Sequence, residues 1–243
     1  MIRRWFIVAL VNFVLAAVLG ALLRYAFVEE LAWMKYRNVM HGHSHVAMLG
    51  WLHLALYALL VHGFVPQARQ ARPAFRWLFW LTQLSVLGML FSFPLEGYGP
   101  VSITFSSLHT LLAYAFIWQL WRELRPAGKT WSVTWLKTAL VLFVLATLGL
   151  WAMAPIMLFD PGKGTLYYLA VQYYLHFQFN GWFLFAGLAL FFRWVEEKGL
   201  AIPAGPMRRF WGLLLLSTFL TYALALSWAE AGDWVFFLNS LGV

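Results

Sequence analysis

The chain has no cysteine, and that absence removes a large part of metal and redox chemistry. Disulfides, thiolate zinc sites, cysteine-ligated iron–sulfur clusters and covalent haem attachment through a CxxCH motif are excluded. Any haem must be non-covalent, with His or Met ligands. Charge is also scarce. Only 11% of the 243 residues are Asp, Glu, Lys or Arg, 63% are apolar, and mean hydropathy is +0.74. A soluble domain of this length needs a far more polar surface. Acids are scarcest, 9 against 17 bases, for a formal net charge of +8. In a soluble protein that excess would suggest nucleic acid. Here the bases gather in loops between apolar runs, so the excess reads as membrane topology and no nucleic-acid partner is expected. No internal repeat stands out and no linker marks a boundary, so residues 1–243 read as a single transmembrane helical domain.

The apolar runs number seven, each about the 20 residues needed to cross a hydrocarbon core. They are Trp5–Phe27, His43–Val65, Phe75–Leu95, Val101–Trp121, Val133–Phe159, Leu166–Trp194 and Phe210–Trp228. The fold class is therefore all-α, a polytopic bundle of seven transmembrane helices. The first run lacks a small-residue cleavage site and does not read as a signal peptide. Trp234–Leu238, in the tail, reads as a short interfacial helix. Arg3, Arg4, Arg69, Arg72, Arg76, Arg122, Arg125, Lys129, Lys137, Arg193, Lys198, Arg208 and Arg209 fall on one side. Arg24, Lys35, Arg37 and Lys163 fall on the other, with six acids: Glu29, Glu30, Glu96, Asp160, Glu230 and Asp233. The excess of bases puts the N-terminus in the cytoplasm and the C-terminus outside. The expected location is a bacterial inner membrane, crossed many times, with the lipid bilayer as first partner.

Seven histidines stand out in so apolar a chain. Ionisable groups inside a bilayer are costly and mark functional sites, and histidine is the commonest metal ligand. His53 lies ten residues into the second span, His109 eight into the fourth and His176 ten into the sixth. All three spans run inward from the outer face, so these depths are roughly 15, 12 and 15 Å. Three histidines on three helices thus reach nearly one level. His41, His43 and His45 sit above them at the outer mouth. His41 and His45 share a helix face at i, i+4, a spacing that can chelate one ion. On a regular helix His43 and His45 stand about 80° to either side of His53. His62 points the other way, near the inner end, and reads as interfacial. A ligating imidazole usually donates its other N–H to an oxygen. Ser106 precedes His109 by three residues, and Gln172 and Asn180 flank His176 by four on each side. Gln83, in mid-span, reads as a hydrogen bond between helices, and Glu96 as an outer-turn carboxylate. The residues alone thus give His41, His43, His45, His53, His109 and His176 as metal ligands, with Ser106, Gln172 and Asn180 orienting them.

The segment Arg37-Asn38-Val39-Met40-His41-Gly42-His43-Ser44-His45-Val46-Ala47-Met48-Leu49-Gly50-Trp51 resembles subunit I of the haem–copper oxidases and the related NnrS membrane haem proteins. In those families a histidine near the outer end of a span, followed by apolar and Gly residues, ligates haem. The segment His176-Phe177-Gln178-Phe179-Asn180-Gly181-Trp182-Phe183 is similar to one in short bacterial proteins that look like oxidase subunit I. The resemblance covers about 25 residues. It implies haem ligation by His45 or His43 and haem or metal ligation by His176. The chain has fewer spans than subunit I and lacks the His-His pair of its copper site, which argues against oxygen reduction with proton pumping.

The expectation is a membrane protein holding haem b, or haem with a second metal, through His45, His53, His109 and His176. Copper, iron and zinc are the candidate metals. Such a protein transfers electrons, from quinol or a redox partner protein, or binds or reduces a diatomic gas such as NO or O2. It is an oxidoreductase if it is an enzyme, no residue is assigned as catalytic, and assembly into an oligomer is open. Two alternatives stand beside this. Seven spans with His53, His109 and His176 are similar to the intramembrane zinc hydrolases of the ceramidase and adiponectin-receptor group, although no carboxylate lies well inside a span. A metal-ion transporter or sensor would use the outer histidines as a loading site, although its inner half would need polar residues the chain lacks.

Overall fold

Proline and glycine punctuate the chain where the helices must break. Pro73 and Pro100 each open a helix at its first turn, where the missing N–H is not needed. Gly97, at φ 66°, turns the chain between those two helices. A computed structural model describes all residues except 126, 127, 129, 163 and 230–233. Among the expected loop charges, Lys129, Lys163, Glu230 and Asp233 therefore lie outside the described residues. The described residues are helical with no strand, and seven helical stretches are long and apolar enough to cross a membrane. The protein is a polytopic all-α membrane protein. Its chain divides into two compact units, Met1–Pro126 and Ala127–Val243.

The first unit begins with α1 (Ile2–Tyr25) and a second span of three parts. These are α2 (Tyr36–His45), a π-helical segment (Val46–His53) and α3 (Leu54–Phe64). A short α4 (Gln67–Gln70) leads to α5 (Pro73–Glu96) and α6 (Pro100–Leu124). Aromatic packing fixes one end of the unit. Trp5 stacks on Phe79 at 4.7 Å, and Tyr57 stacks on Phe116 at 3.9 Å while its hydroxyl donates to the Phe75 carbonyl at 2.7 Å. Such ring pairs add about 0.5–1.5 kcal/mol each beyond the area they bury. The buried Glu123 carboxylate at the end of α6 accepts from Arg69 (2.7 Å) and Arg72 (3.0 Å), which ties the α4 loop to α6. At the other end Glu96 accepts from the Ser102 backbone N–H at 2.6 Å and caps α6. Mid-span, Asn12 Nδ2 donates to the Gly50 carbonyl (2.9 Å) and to Gln83 Oε1 (2.7 Å), and Gln83 Nε2 donates back to Asn12 Oδ1 (3.2 Å). Gln83 thus bonds helix to helix as expected.

The second unit comprises α7 (Trp131–Phe159), α8 (Thr165–His176), a second π-helical segment (Phe177–Phe183) and α9 (Leu184–Glu197). It continues through α10 (Ala204–Leu220), a 3₁₀ stretch (Thr221–Ala229) and a tail helix, α11 (Trp234–Gly242). Glu196 caps α7 by accepting from the Ser132 N–H at 2.9 Å and from its hydroxyl. Trp135 packs against Phe185, Phe192 and Phe210 at 5.1–5.6 Å. Trp211 Nε1 donates to Thr138 at 3.1 Å.

Two features depart from the sequence reading. The second span begins at Tyr36, well before His43, because α2 opens with the polar Tyr36-Arg37-Asn38 that hydropathy does not count. The second feature is an internal repeat. Trp5, Ala9 and Ala16 on α1 match Trp135, Ala139 and Ala146 on α7 at the same spacing, and all six are buried. His45-x4-Gly50-Trp51 matches His176-x4-Gly181-Trp182, each histidine standing directly before a π-segment. Phe79-Trp80 on α5 matches Phe210-Trp211 on α10, and Phe79 and Phe210 each pack on the equivalent tryptophan, Trp5 or Trp135. Most other positions differ, which hides the repeat in the sequence.

The repeat suggests a stability test. Where the first unit has Asn12, the second has Leu142, also buried. Asn12→Leu leaves the Gly50 carbonyl and the Gln83 amide without their donor and acceptor, and lowers stability by about 1–3 kcal/mol. The Asn12→Leu/Gln83→Leu pair recovers part of that loss. Thermal unfolding in detergent reads both, and an unchanged midpoint for the single variant would show that the amide pair bears no weight.

Candidate functional site

The π-segment of the first unit aims the histidines. A π-turn holds one more residue than an α-turn and is common at functional sites. A regular helix would put His45 and His53 about 80° apart. With the π-segment between them, both lie within electrostatic reach of His109 on α6. His53 and His109 are buried and in contact, with ring centroids 4.9 Å apart and planes at 66°. The expected depth match of these two histidines is thus a direct contact.

Main-chain carbonyls set the tautomers. A carbonyl only accepts, so the ring nitrogen facing it carries the proton and the other keeps its lone pair. His45 Nδ1 donates to the His41 carbonyl at 2.8 Å, and His43 Nδ1 donates to the Ala16 carbonyl at 2.8 Å. His109 hydrogen-bonds the main chain of Leu49, in the π-segment, while its buried Nε2 has no hydrogen-bond partner among the described residues. Each imidazole therefore keeps Nε2 as an acceptor. A backbone carbonyl on the far nitrogen is what typically orients a metal-bound histidine.

The six expected ligands do not form one group. His41 and His45 share a face, as their spacing implies. The His41 ring packs on Tyr98 at 4.6 Å, and the His45 ring on Phe93 at 4.1 Å. His43 turns to α1 instead, where its ring lies over Gly20 and a Cβ there would stand 3.0 Å from it. His62 is exposed at the end of α3. In the second unit His176 Nε2 donates to the Thr218 carbonyl at 2.8 Å, and its Nδ1 accepts from Asn180 at 3.3 Å. Asn180 does orient His176 as expected, but both ring nitrogens are then engaged. Ser106 donates to the Ile103 carbonyl at 3.0 Å, so the oxygen that orients His109 is that of Leu49. Gln172 is half-buried on α8. Sequence reasoning missed Asn12, Leu49 and Tyr98. Asn12, polar within the most apolar span, was the available signal.

The spacing of His53 and His109 discriminates between cofactors. With metal–nitrogen bonds of about 2 Å, two imidazoles on opposite faces of a haem iron stand about 6 Å apart, centre to centre. On one metal with a bent, near-tetrahedral angle they stand about 5 Å apart. The observed 4.9 Å is too short for a haem between the two rings. Among the described residues no group of three or more His, Asp or Glu side chains is gathered at metal-binding distance. His53 and His109 thus stand as a pair of imidazoles with no third such side chain gathered beside them among the described residues. No family model, no curated protein and no solved structure matches the chain.

Gly50 controls this geometry. A Cβ on it would sit 2.8 Å from Val86 Cγ1 and 3.2 Å from Asn12. Gly50→Ala displaces the π-segment against α1 and α5, at about 1–3 kcal/mol. The expected result is a lower thermal midpoint together with weaker metal retention, read by metal analysis after dialysis. Retention equal to wild type would show that the π-segment does not hold the histidines in place.

Proposed function

We propose that the protein is a redox metalloprotein of a bacterial inner membrane, with its N-terminus in the cytoplasm. Its centre is one transition-metal ion, copper or iron, held by His53 and His109, with His45 as the third imidazole in reach. The observation that carries this reading is the buried imidazole pair at 4.9 Å, with the His109 Nδ1 side on a main-chain carbonyl and its Nε2 left open. Held by these residues, such a metal would supply binding of a diatomic gas such as O2 or NO and single-electron exchange with a donor. The donor is quinol or a redox partner protein. Haem b fits a narrower role. His45, whose Nδ1 is on the His41 carbonyl, would hold it through Nε2. The zinc-hydrolase reading has less support, because it needs a lone pair on His176 and both its nitrogens are engaged.

The test is an optical spectrum of detergent-purified protein, oxidised and dithionite-reduced, with metal analysis on the same sample. The expected result is stoichiometric copper or iron, lost at least about tenfold in His53→Leu and in His109→Leu. His62→Leu retains it. A Soret band that shifts on reduction and disappears in His45→Leu would add the haem. Stoichiometric zinc with no redox band would favour the hydrolase. A protein with no metal and no haem, or full retention in both His53→Leu and His109→Leu, would overturn the reading.

A further inference from the structure

A second polar cluster, in the second unit, is left unused by the metal site. His176 ends α8 about 16 Å along the helix from Thr165, and Asn180 follows in the π-segment at about 22 Å. That depth is near the middle of the Thr165–Glu197 span. Polar side chains at mid-membrane are costly unless something meets them. Yet His176 is only half-buried and Asn180 is exposed. The bond to His176 uses one N–H of Asn180. An asparagine amide has two donor hydrogens and a carbonyl acceptor, so a donor and an acceptor remain on the outer face of the helix.

Three aromatic rings border the pair. Phe177 lies 5.2 Å and Tyr222 5.5 Å from the His176 ring, and Tyr173 lies 5.4 Å from Tyr222. The seventh span forms the facing wall. It passes from α10 into the 3₁₀ stretch at Thr221, three residues after the Thr218 carbonyl that receives His176 and one before Tyr222. Tyr222 in turn donates to the Leu169 carbonyl at 3.3 Å, which fixes its ring. The repeat shows that the module does not need this polarity. At the position of Asn180 the first unit has Leu49, a buried apolar residue.

The chemistry limits the ligand. Residues 166–192 and 210–228 contain no Asp, Glu, Lys or Arg, so nothing here pairs with a phosphate or carboxylate headgroup. The ligand is neutral. It reaches the site from the lipid phase, so it is itself apolar over most of its length. It carries a flat ring to lie against Tyr222 and Tyr173, and ring oxygens to meet an amide donor and acceptor. We infer that His176, Asn180, Tyr173 and Tyr222, backed by the buried Phe177, form a binding site for the headgroup of a membrane quinol or quinone. The Asn180 N–H donates to a quinone carbonyl, its Oδ1 accepts a quinol hydroxyl, and His176 holds the amide in position. The inference draws its purpose from the redox reading, since a quinol is a donor such a protein needs, but the binding step does not depend on the metal.

The experiment is a calorimetric titration of the full-length protein in lipid nanodiscs with decylubiquinone, using a long-chain alcohol as the control for simple partitioning. The expected result is saturable binding of the quinone alone, weakened at least about tenfold by Asn180→Leu, a loss of about 1.4 kcal/mol. Asn180 is exposed, so the variant keeps the fold, and His176→Phe gives the same loss. No saturable binding, or binding unchanged in Asn180→Leu, would overturn the inference. The titration is repeated after chelator treatment. Binding that persists without metal supports a site in the second unit even if the metal reading fails, and binding that needs the metal overturns that placement.

Discussion

A carbonyl inside a bilayer has no water to accept from, and most of this protein's polar architecture follows from that constraint. The first π-segment brings main-chain groups within reach of side chains from neighbouring helices. In the first unit Gly50's oxygen takes Asn12, and the Leu49 main chain takes His109. The Ala16 and His41 oxygens take His43 and His45. Each bond also fixes which nitrogen of an imidazole is protonated. The backbone thereby makes Nε2 the unprotonated nitrogen of three imidazoles without using one carboxylate. That suits a chain with so few acids, none of them at mid-span. It also explains why Glu96 and Glu123 serve as caps and anchors at the ends of α6.

The two units meet the same constraint with different residues. Both keep the buried tryptophan, the small alanines and the His-x4-Gly-Trp run that shape the module. Glycine is required in each π-segment because the neighbouring helix lies against it, Asn12 of α1 in one and Leu142 of α7 in the other. Polarity then diverges. The first unit buries Asn12, Gln83, His53 and His109. The second replaces Asn12 with Leu142 and sets its polar pair, His176 and Asn180, on a more open face. The equivalent histidines reverse their nitrogens accordingly, His45 bonding a carbonyl of its own helix through Nδ1 and His176 one from the neighbouring α10 through Nε2.

Hydropathy alone made the all-helical class and the seven spans legible, because a span needs only length and apolar content. Span ends were less legible. Tyr36–Asn38 continues the helix with polar residues, and α10 starts at Ala204, ahead of the apolar run that opens at Phe210. The candidate site was half legible. Counting residues from the span starts paired His53 with His109, and counting at 100° per residue put His41 and His45 on one face. It could not anticipate the π-segment between His45 and His53, which breaks the count. Nor could it reveal that the Leu49 main chain orients His109, since carbonyls look alike in every residue. The repeat was hidden for a related reason. A membrane module is fixed by a few packing positions, and any large apolar residue fills the rest.

Whether two imidazoles face each other across a cofactor or stand side by side decides what a centre can do. Opposed ligands close both axial positions of an iron and leave electron transfer as its chemistry. Adjacent ligands on a bent angle leave the remaining positions open on one side. His53 and His109 are adjacent, on α6 and on the last residue of the π-segment, and the Asn12–Gln83 amides on Gly50 resist any slide that would separate them. On the proposed reading, the open side is where a gas molecule meets the metal. The mouth above it is lined by His41, His45, Phe93 and Tyr98. Three of those four carry a polar edge, and on the same reading a small polar molecule would approach past them.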